Sequence, residues 1–171
     1  MTPPRAGTFI YHTHWHDPGQ LLNGIYGPLI VLEPGQKYDP EHDRTFVFSV
    51  GKYAPFGFLL LINGTPQPDP IEMQTGTRYR LRLINITDDG VDLRVRLRTD
   101  DAPVQWKIIA KDGADLPAAQ LKSSNADMII TVGETYDVEY QADSPSVANL
   151  QIWFVEFPAP VVVPLKFSAP K

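Results

Sequence analysis

Apolar residues in this chain recur at every second position, the period of a strand with one face inward. Thr77-Arg78-Tyr79-Arg80-Leu81-Arg82-Leu83 alternates strictly, with the odd positions inward. Asp92-Leu93-Arg94-Val95-Arg96-Leu97-Arg98 alternates too, and Asp88-Asp89-Gly90 supplies a turn between the two. Read along the chain, the pattern predicts strands over 8–14, 26–32, 44–50, 58–62, 71–74, 77–83, 92–98, 105–110, 127–132, 135–141, 149–155 and 161–167. The run Tyr26-Gly27-Pro28-Leu29-Ile30-Val31-Leu32 is apolar throughout and reads as a buried strand. Asn63-Gly64 is a turn dipeptide, and Asp112-Gly113 is read the same way. No segment carries a 3.6-residue period; 19–23 and 118–123 have room for one helical turn each. Short alternating strands at regular spacing predict an all-β sandwich. The stretch 36–43 is polar, holds Pro40 and has no period, and reads as a linker.

Composition narrows the classes. An apolar fraction of 43% in 171 residues supports a real core. Glycine and proline at 12 and 17 residues fit a turn-rich chain. The net charge of −5 leaves no electrostatic footprint for nucleic acid. No apolar run is long enough to span a bilayer. The start, Met1-Thr2-Pro3-Pro4-Arg5-Ala6-Gly7, is no signal peptide, because no apolar region follows a basic start. It reads as a turn entering a strand, as expected of the interior of a longer polypeptide. The absence of cysteine excludes disulfides, thiolate metal sites and cysteine nucleophiles.

Chemistry concentrates in one run, His12-Thr13-His14-Trp15-His16, which holds three of the four histidines. An extended run turns residues i, i+2 and i+4 to one face, so the three imidazoles point together while Thr13 and Trp15 point toward a core. Imidazole is the commonest side-chain metal ligand. Two arrangements fit: both rings on one ion, or each on a different ion of a bridged pair. Either needs further ligands, because one strand does not surround a metal. His42 sits in the linker, and Asp17, Glu33 and Asp39 are the nearby carboxylates. The plain alternative is a set of strand histidines with no ligand role. Arg78, Arg80 and Arg82 share one face, as do Arg94, Arg96 and Arg98. Paired as a hairpin, the two runs put six guanidiniums on one sheet face, relieved by Asp88, Asp92, Glu72 and Asp100, by an anion or by an acidic neighbour. Asn63-Gly64-Thr65 and Asn85-Ile86-Thr87 satisfy the glycosylation rule, and neither is given a function.

The segment Gly7-Thr8-Phe9-Ile10-Tyr11-His12-Thr13-His14-Trp15-His16, then Gln20, then Gly24-Ile25-Tyr26-Gly27-Pro28-Leu29-Ile30-Val31, resembles the second copper-binding motif of the multicopper oxidases, the laccase-like family. Leu61-Ile62-Asn63-Gly64, Gly76-Thr77-Arg78-Tyr79-Arg80-Leu81 and Val132-Gly133-Glu134-Thr135-Tyr136 resemble that family's middle domain. The resemblance implies a Greek-key cupredoxin-like sandwich over 44–171, a linker at 36–43, and the last strands of another cupredoxin domain over 1–35. It implies that His12 and His14 are ligands of a type 3 copper pair within a trinuclear cluster. His16 is a further metal candidate, as a ligand or as a donor to a carboxylate such as Asp17. Tyr11 and Trp15 are expected in packing, and Gln20, Gly24 and Gly27 in the turn and the strand approach.

The family's His-Trp-His-Gly and His-Cys-His motifs are missing, so no type 1 copper site is possible here. The expected partners are therefore the remaining cupredoxin domains, in the parent protein or another subunit, with a small reducing substrate and dioxygen. The intact protein would couple one-electron oxidation to reduction of dioxygen to water, in the periplasm or outside the cell. Two alternatives stand beside this: a non-catalytic scaffold or interface module without metal, and a mononuclear zinc site acting hydrolytically.

Overall fold

The computed structural model describes residues 3, 5–15, 17–53, 57–87, 92–99 and 102–170. Strand β1 is Gly7–His12, a short helix α1 is Asp17–Leu21, and β2 is Tyr26–Val31. There follow β3 Asp43–Tyr53, β4 Gly57–Ile62, β5 Ile71–Gln74, β6 Tyr79–Asn85 and β7 Leu93–Arg98. The rest are β8 Gln105–Lys111, β9 Ala114–Asp115, β10 Ser123–Asn125, β11 Asp127–Ile130, β12 Thr135–Tyr140, β13 Ser146–Phe154 and β14 Phe157–Ser168, with one 3₁₀ turn at Ala118–Gln120. The all-β sandwich read from the alternation is what the chain forms. One sheet runs β10-β8-β12-β6-β3-β4, with β9 beside β8, and the other runs β11-β7-β13-β14-β5. The first hairpin, β1-β2, stands as a sheet of its own.

Between the two large sheets lies the main core, including Phe46, Phe48, Leu81, Leu83, Leu97, Trp106, Leu150 and Leu165. β7 alternates buried and half-buried residues over its whole length, as a strand with one wet face does. β6 does not: Leu81, Arg82, Leu83, Ile84 and Asn85 are all buried. The cause is the first hairpin, which lies over the outer face of that sheet. There Val47, Ile84 and Ile86 form a second apolar cluster with Leu21 of α1, against which Ile10 and Tyr26 pack.

Two turns carry the backbone that their sequences demand. Asn63 and Gly64 have φ of 50° and 82°, and Asp112 and Gly113 have φ of 48° and 70°, the double left-handed geometry that Asx-Gly pairs adopt.

Three expectations are corrected. β1 ends at His12 and not at residue 14, because its pairing with β2 closes at His12 opposite Tyr26. β2 is not buried: Leu29 is exposed, since a two-stranded sheet covers only one of its own faces. The arginine runs do not form a hairpin. β6 pairs with β12 and β3, while β7 pairs with β11 and β13 of the opposite sheet. The chain crosses the sandwich between the two runs, so they lie in different sheets. Among the described residues, the counter-ions of Arg80, Arg82, Arg94 and Arg96 are Asp43, Asp127 and Asp137, which come from other strands. The turn at 88–90 and Asp100 lie outside the described residues.

Candidate metal centre

The first strand is fixed on the sandwich by a buried polar network. Thr8, Arg82 and Asp137 are all buried. The Thr8 hydroxyl lies 2.8 and 2.9 Å from the two Asp137 carboxylate oxygens, donates to that carboxylate and accepts from Arg82. Arg82 donates to Asp43 through Nε and Nη2, each at 2.6 Å, and reaches Asp137 at 3.2 Å. Arg80 also donates to Asp137. Burial, the largest influence on Arg82, favours its neutral form; Asp43 and Asp137 outweigh it and hold the pKa above the ordinary value. The Thr135 hydroxyl donates to the Thr8 carbonyl at 3.0 Å. At the entry of β1, Arg5 Nε donates to the Gly113 carbonyl at 2.7 Å. A β-carbon on Gly113 would lie 2.3 Å from the Phe9 ring, so this contact requires glycine.

Thr8, Ile10 and His12 share one face of β1 and line a groove of about 270 Å³ with Ile86, Asp112, Gly133 and Thr135. His12 is the last residue of the strand and is exposed. Its Nδ1 lies 2.9 Å from the Thr13 carbonyl. A carbonyl only accepts, so in the neutral ring Nδ1 carries the proton and Nε2 keeps its lone pair. The His14 ring centroid is 4.5 Å from that of His12, with 44° between the planes, and His14 is exposed as well.

The loop bearing His14 is tied from the helix side. The Thr13 hydroxyl donates to the Gln20 side-chain carbonyl and accepts the Trp15 N–H at 3.2 Å. The Gln20 main-chain carbonyl accepts from Asn23 and Ile25, and Thr13 N–H donates to the Ile25 carbonyl. Gln20 therefore links both ends of the loop. Tyr11 lies over its cross-strand partner Gly27, where a β-carbon would fall 2.4 Å from the phenol oxygen. Trp15, expected to point into a core, is 73% exposed, because the strand has already ended before it.

His12 and His14 are thus brought together. His16 lies outside the described residues, as does the side chain of Asp17. His42 is elsewhere: its carbonyl accepts from Arg80 at the start of β6, whereas Ile86, beside His12, follows the end of that strand. Seven strand residues separate the two ends by roughly 20 Å. Its imidazole is held by Asp39 at 2.7 Å. That imidazole and the main-chain N–H groups of Glu41 and His42 hold the Asp39 carboxyl below its usual range. Among the described residues, no group of three or more His, Cys, Asp or Glu is placed to hold a metal ion. The Thr13–Gln20 tie and the Thr8–Asp137–Arg82 network are additions to the sequence reading. Gln20 stood in the motif without a stated contact, and Thr8 carried no chemical signal of its own.

No protein-family model matches the chain. Laccase-2 of Trametes versicolor is 32% identical over 109 residues, covering 51% of this chain and 21% of that protein. The chain therefore spans about a fifth of the length of the curated relatives it matches. Among solved structures, the blue copper oxidase of Nitrosomonas europaea superposes with a TM-score of 0.74 at 24% identity, over 96% of this chain and 57% of that one. The McoA multicopper oxidase of Aquifex aeolicus gives 0.78 at 19% identity, over 98% and 42%. The two-sheet sandwich is therefore a cupredoxin fold. Over about half its length the chain is similar in sequence to fungal laccases, and the fold it shares with the solved structures is that of multicopper oxidases. No helix among the described residues is long and apolar enough to cross a membrane.

Proposed function

We propose that this chain supplies imidazole ligands from His12 and His14 to a copper centre of the type 3 kind, completed by residues outside the chain. The observation that carries the reading is the side-by-side, exposed imidazole pair, 4.5 Å between centroids, with His12 lining a groove. The donor set fits copper: two ring nitrogens, one with its tautomer fixed through Nδ1. His16 is the third candidate ligand. In this reading 1–35 is the end of one cupredoxin domain, 36–43 a linker and 44–171 a second domain. Bound copper would supply the electron-transfer chemistry by which the whole protein oxidises small reducing substrates and reduces dioxygen to water. The chain's own part is to hold two ligands at a fixed spacing, one ending a strand anchored by Thr8, Arg82 and Asp137 and one on the loop that follows it. An exported location follows from the same reading.

Titration of the purified chain with copper and with zinc tests this. Copper binding that is lost in both His12→Ala and His14→Ala is the expected result, with no oxidase turnover by the chain alone. Activity restored by supplying the missing motifs on a second polypeptide, and abolished by His12→Ala, extends the test. Failure of either metal to bind favours the scaffold reading. Preferential zinc binding with hydrolysis of an activated ester favours the mononuclear site.

A further inference from the structure

At the opposite end of β6 from the histidine pair lies a cavity of about 600 Å³, lined by Glu41, His42, Arg44, Glu72, Met73, Gln74, Tyr79 and residues 168–170. That volume is in the range of small-molecule sites. Its walls are graded. Met73 and Tyr79 are buried and Arg44 is half-buried, whereas Glu41, His42, Glu72 and Gln74 are exposed at the rim.

Arg44 is the anomaly. Its Nε is buried and has no hydrogen-bond partner, and its guanidinium joins none of the ion pairs among the described residues. The neighbouring arginines of the same sheet, Arg80 and Arg82, are both neutralised by aspartates. Nε is sealed from the cavity, but the terminal N–H groups of Arg44 also make no hydrogen bond among the described residues, and a charged donor lining a cavity is satisfied by an acceptor placed there. A second donor lines the same cavity. The Tyr79 hydroxyl accepts the Gln74 N–H at 2.7 Å, and its own proton has no acceptor among the described residues. The rim carries the opposite sign: Glu41 makes no ion pair among the described residues, and Glu72 shares Lys166 only at 3.5 Å and is 72% exposed.

We propose that this cavity binds a small amphoteric carboxylate, with its carboxylate on Arg44 and Tyr79, its apolar chain against Met73, and its basic end toward Glu41 and Glu72. The acidic rim disfavours dianions, and the guanidinium disfavours simple amines. Only a molecule with one charge of each sign satisfies both ends.

Binding to the full 171-residue chain is read by NMR shift perturbation and calorimetry, with 6-aminohexanoate, hexanoate, hexylamine and inorganic phosphate as probes. The expected order places 6-aminohexanoate first. Arg44→Met should weaken it by about tenfold or more, the loss of a charged hydrogen bond. Because Arg44 is partly buried, a second pair keeps the test sound: Glu41→Gln and Glu72→Gln lie at the exposed rim. Each should weaken 6-aminohexanoate by about threefold and leave hexanoate unweakened. No binding by any probe at about 10 mM overturns the site. Phosphate or hexanoate binding more tightly than 6-aminohexanoate overturns the amphoteric assignment, and so does indifference to both rim variants.

Discussion

Gln20 and Thr13 illustrate what a single side-chain contact does here. Thr13 sits between the two histidines in sequence, and its hydroxyl is committed to Gln20 seven residues away. Gln20→Ala removes the acceptor and frees the loop that carries His14. We expect copper binding to weaken by about tenfold, while the unfolding free energy falls by only ~1 kcal/mol, one partly exposed hydrogen bond. Gln20→Glu keeps an acceptor and should restore most of the affinity. Equal copper affinity in the alanine variant and the parent would remove Gln20 from any role at the site. Thr8 belongs to a more demanding environment: Thr8→Val leaves Arg82 and Asp137 buried with one partner fewer, at a cost of about 1–3 kcal/mol in urea unfolding. The histidine pair was legible from residue type and spacing. The network behind it was not, because Arg82 finds Asp43 and Asp137 at separations of 39 and 55 residues. The glycosylation sequons show the converse. Asn85 is buried and donates to the Ile130 carbonyl, and both amide atoms of Asn63 are bonded to β3, to Val47 N–H and the Thr45 carbonyl. Both are structural asparagines.

Alternation located nearly every long strand, because period two is imposed by burial of one face. It missed β9 and β10, whose two and three residues are too short to show a period. It also read β6 as half-exposed, since a strand covered on both sides depends on what lies above it. The two arginine runs looked equivalent and are not: those of β6 are absorbed by the interface under the first hairpin, and Arg94 and Arg96 of β7 meet Asp127 on the outer face of the other sheet. The hydrogen bond from Arg94, opposed by burial and assisted by Arg96, holds the Asp127 carboxyl below its ordinary pKa. A carboxyl depressed in the folded state stabilises the protein above its unfolded pKa, and that contribution is lost as pH falls through the folded value. Asp127→Asn should therefore cost ~1 kcal/mol at neutral pH, less at high salt, and flatten the acid side of the stability curve below about pH 4. An unchanged acid limb would show that the pair does not hold β11 against β7. The hairpin tip offers a steric counterpart. Gly113→Ala meets both a φ of 70° and the Phe9 ring, and should cost about 2 kcal/mol or more in thermal unfolding.

At the scale of the molecule, the resemblance divides the chain at 36–43, but the packing ties its two parts together. The first 35 residues cover Val47, Ile84 and Ile86 and complete the hydrogen bonding of Arg82, Asp137 and Thr135. Without them three apolar side chains meet water, at about 1.5–3 kcal/mol each for full exposure, and a buried ion cluster loses its cover. This penalty is a large share of the stability of a domain this size. The chain should therefore unfold in one transition, with β1 amides protected nearly as well as those of β6. A chain cut to 36–171 should melt lower and bind a hydrophobic dye. The measurement is native-state hydrogen exchange on the full chain. If the amides of Gly7–His12 exchange freely while β6 stays protected, the hairpin is only loosely laid on the sheet. A loose hairpin would not hold two imidazoles at a constant spacing, and the metal-centre reading would lose its mechanical basis along with the cooperativity.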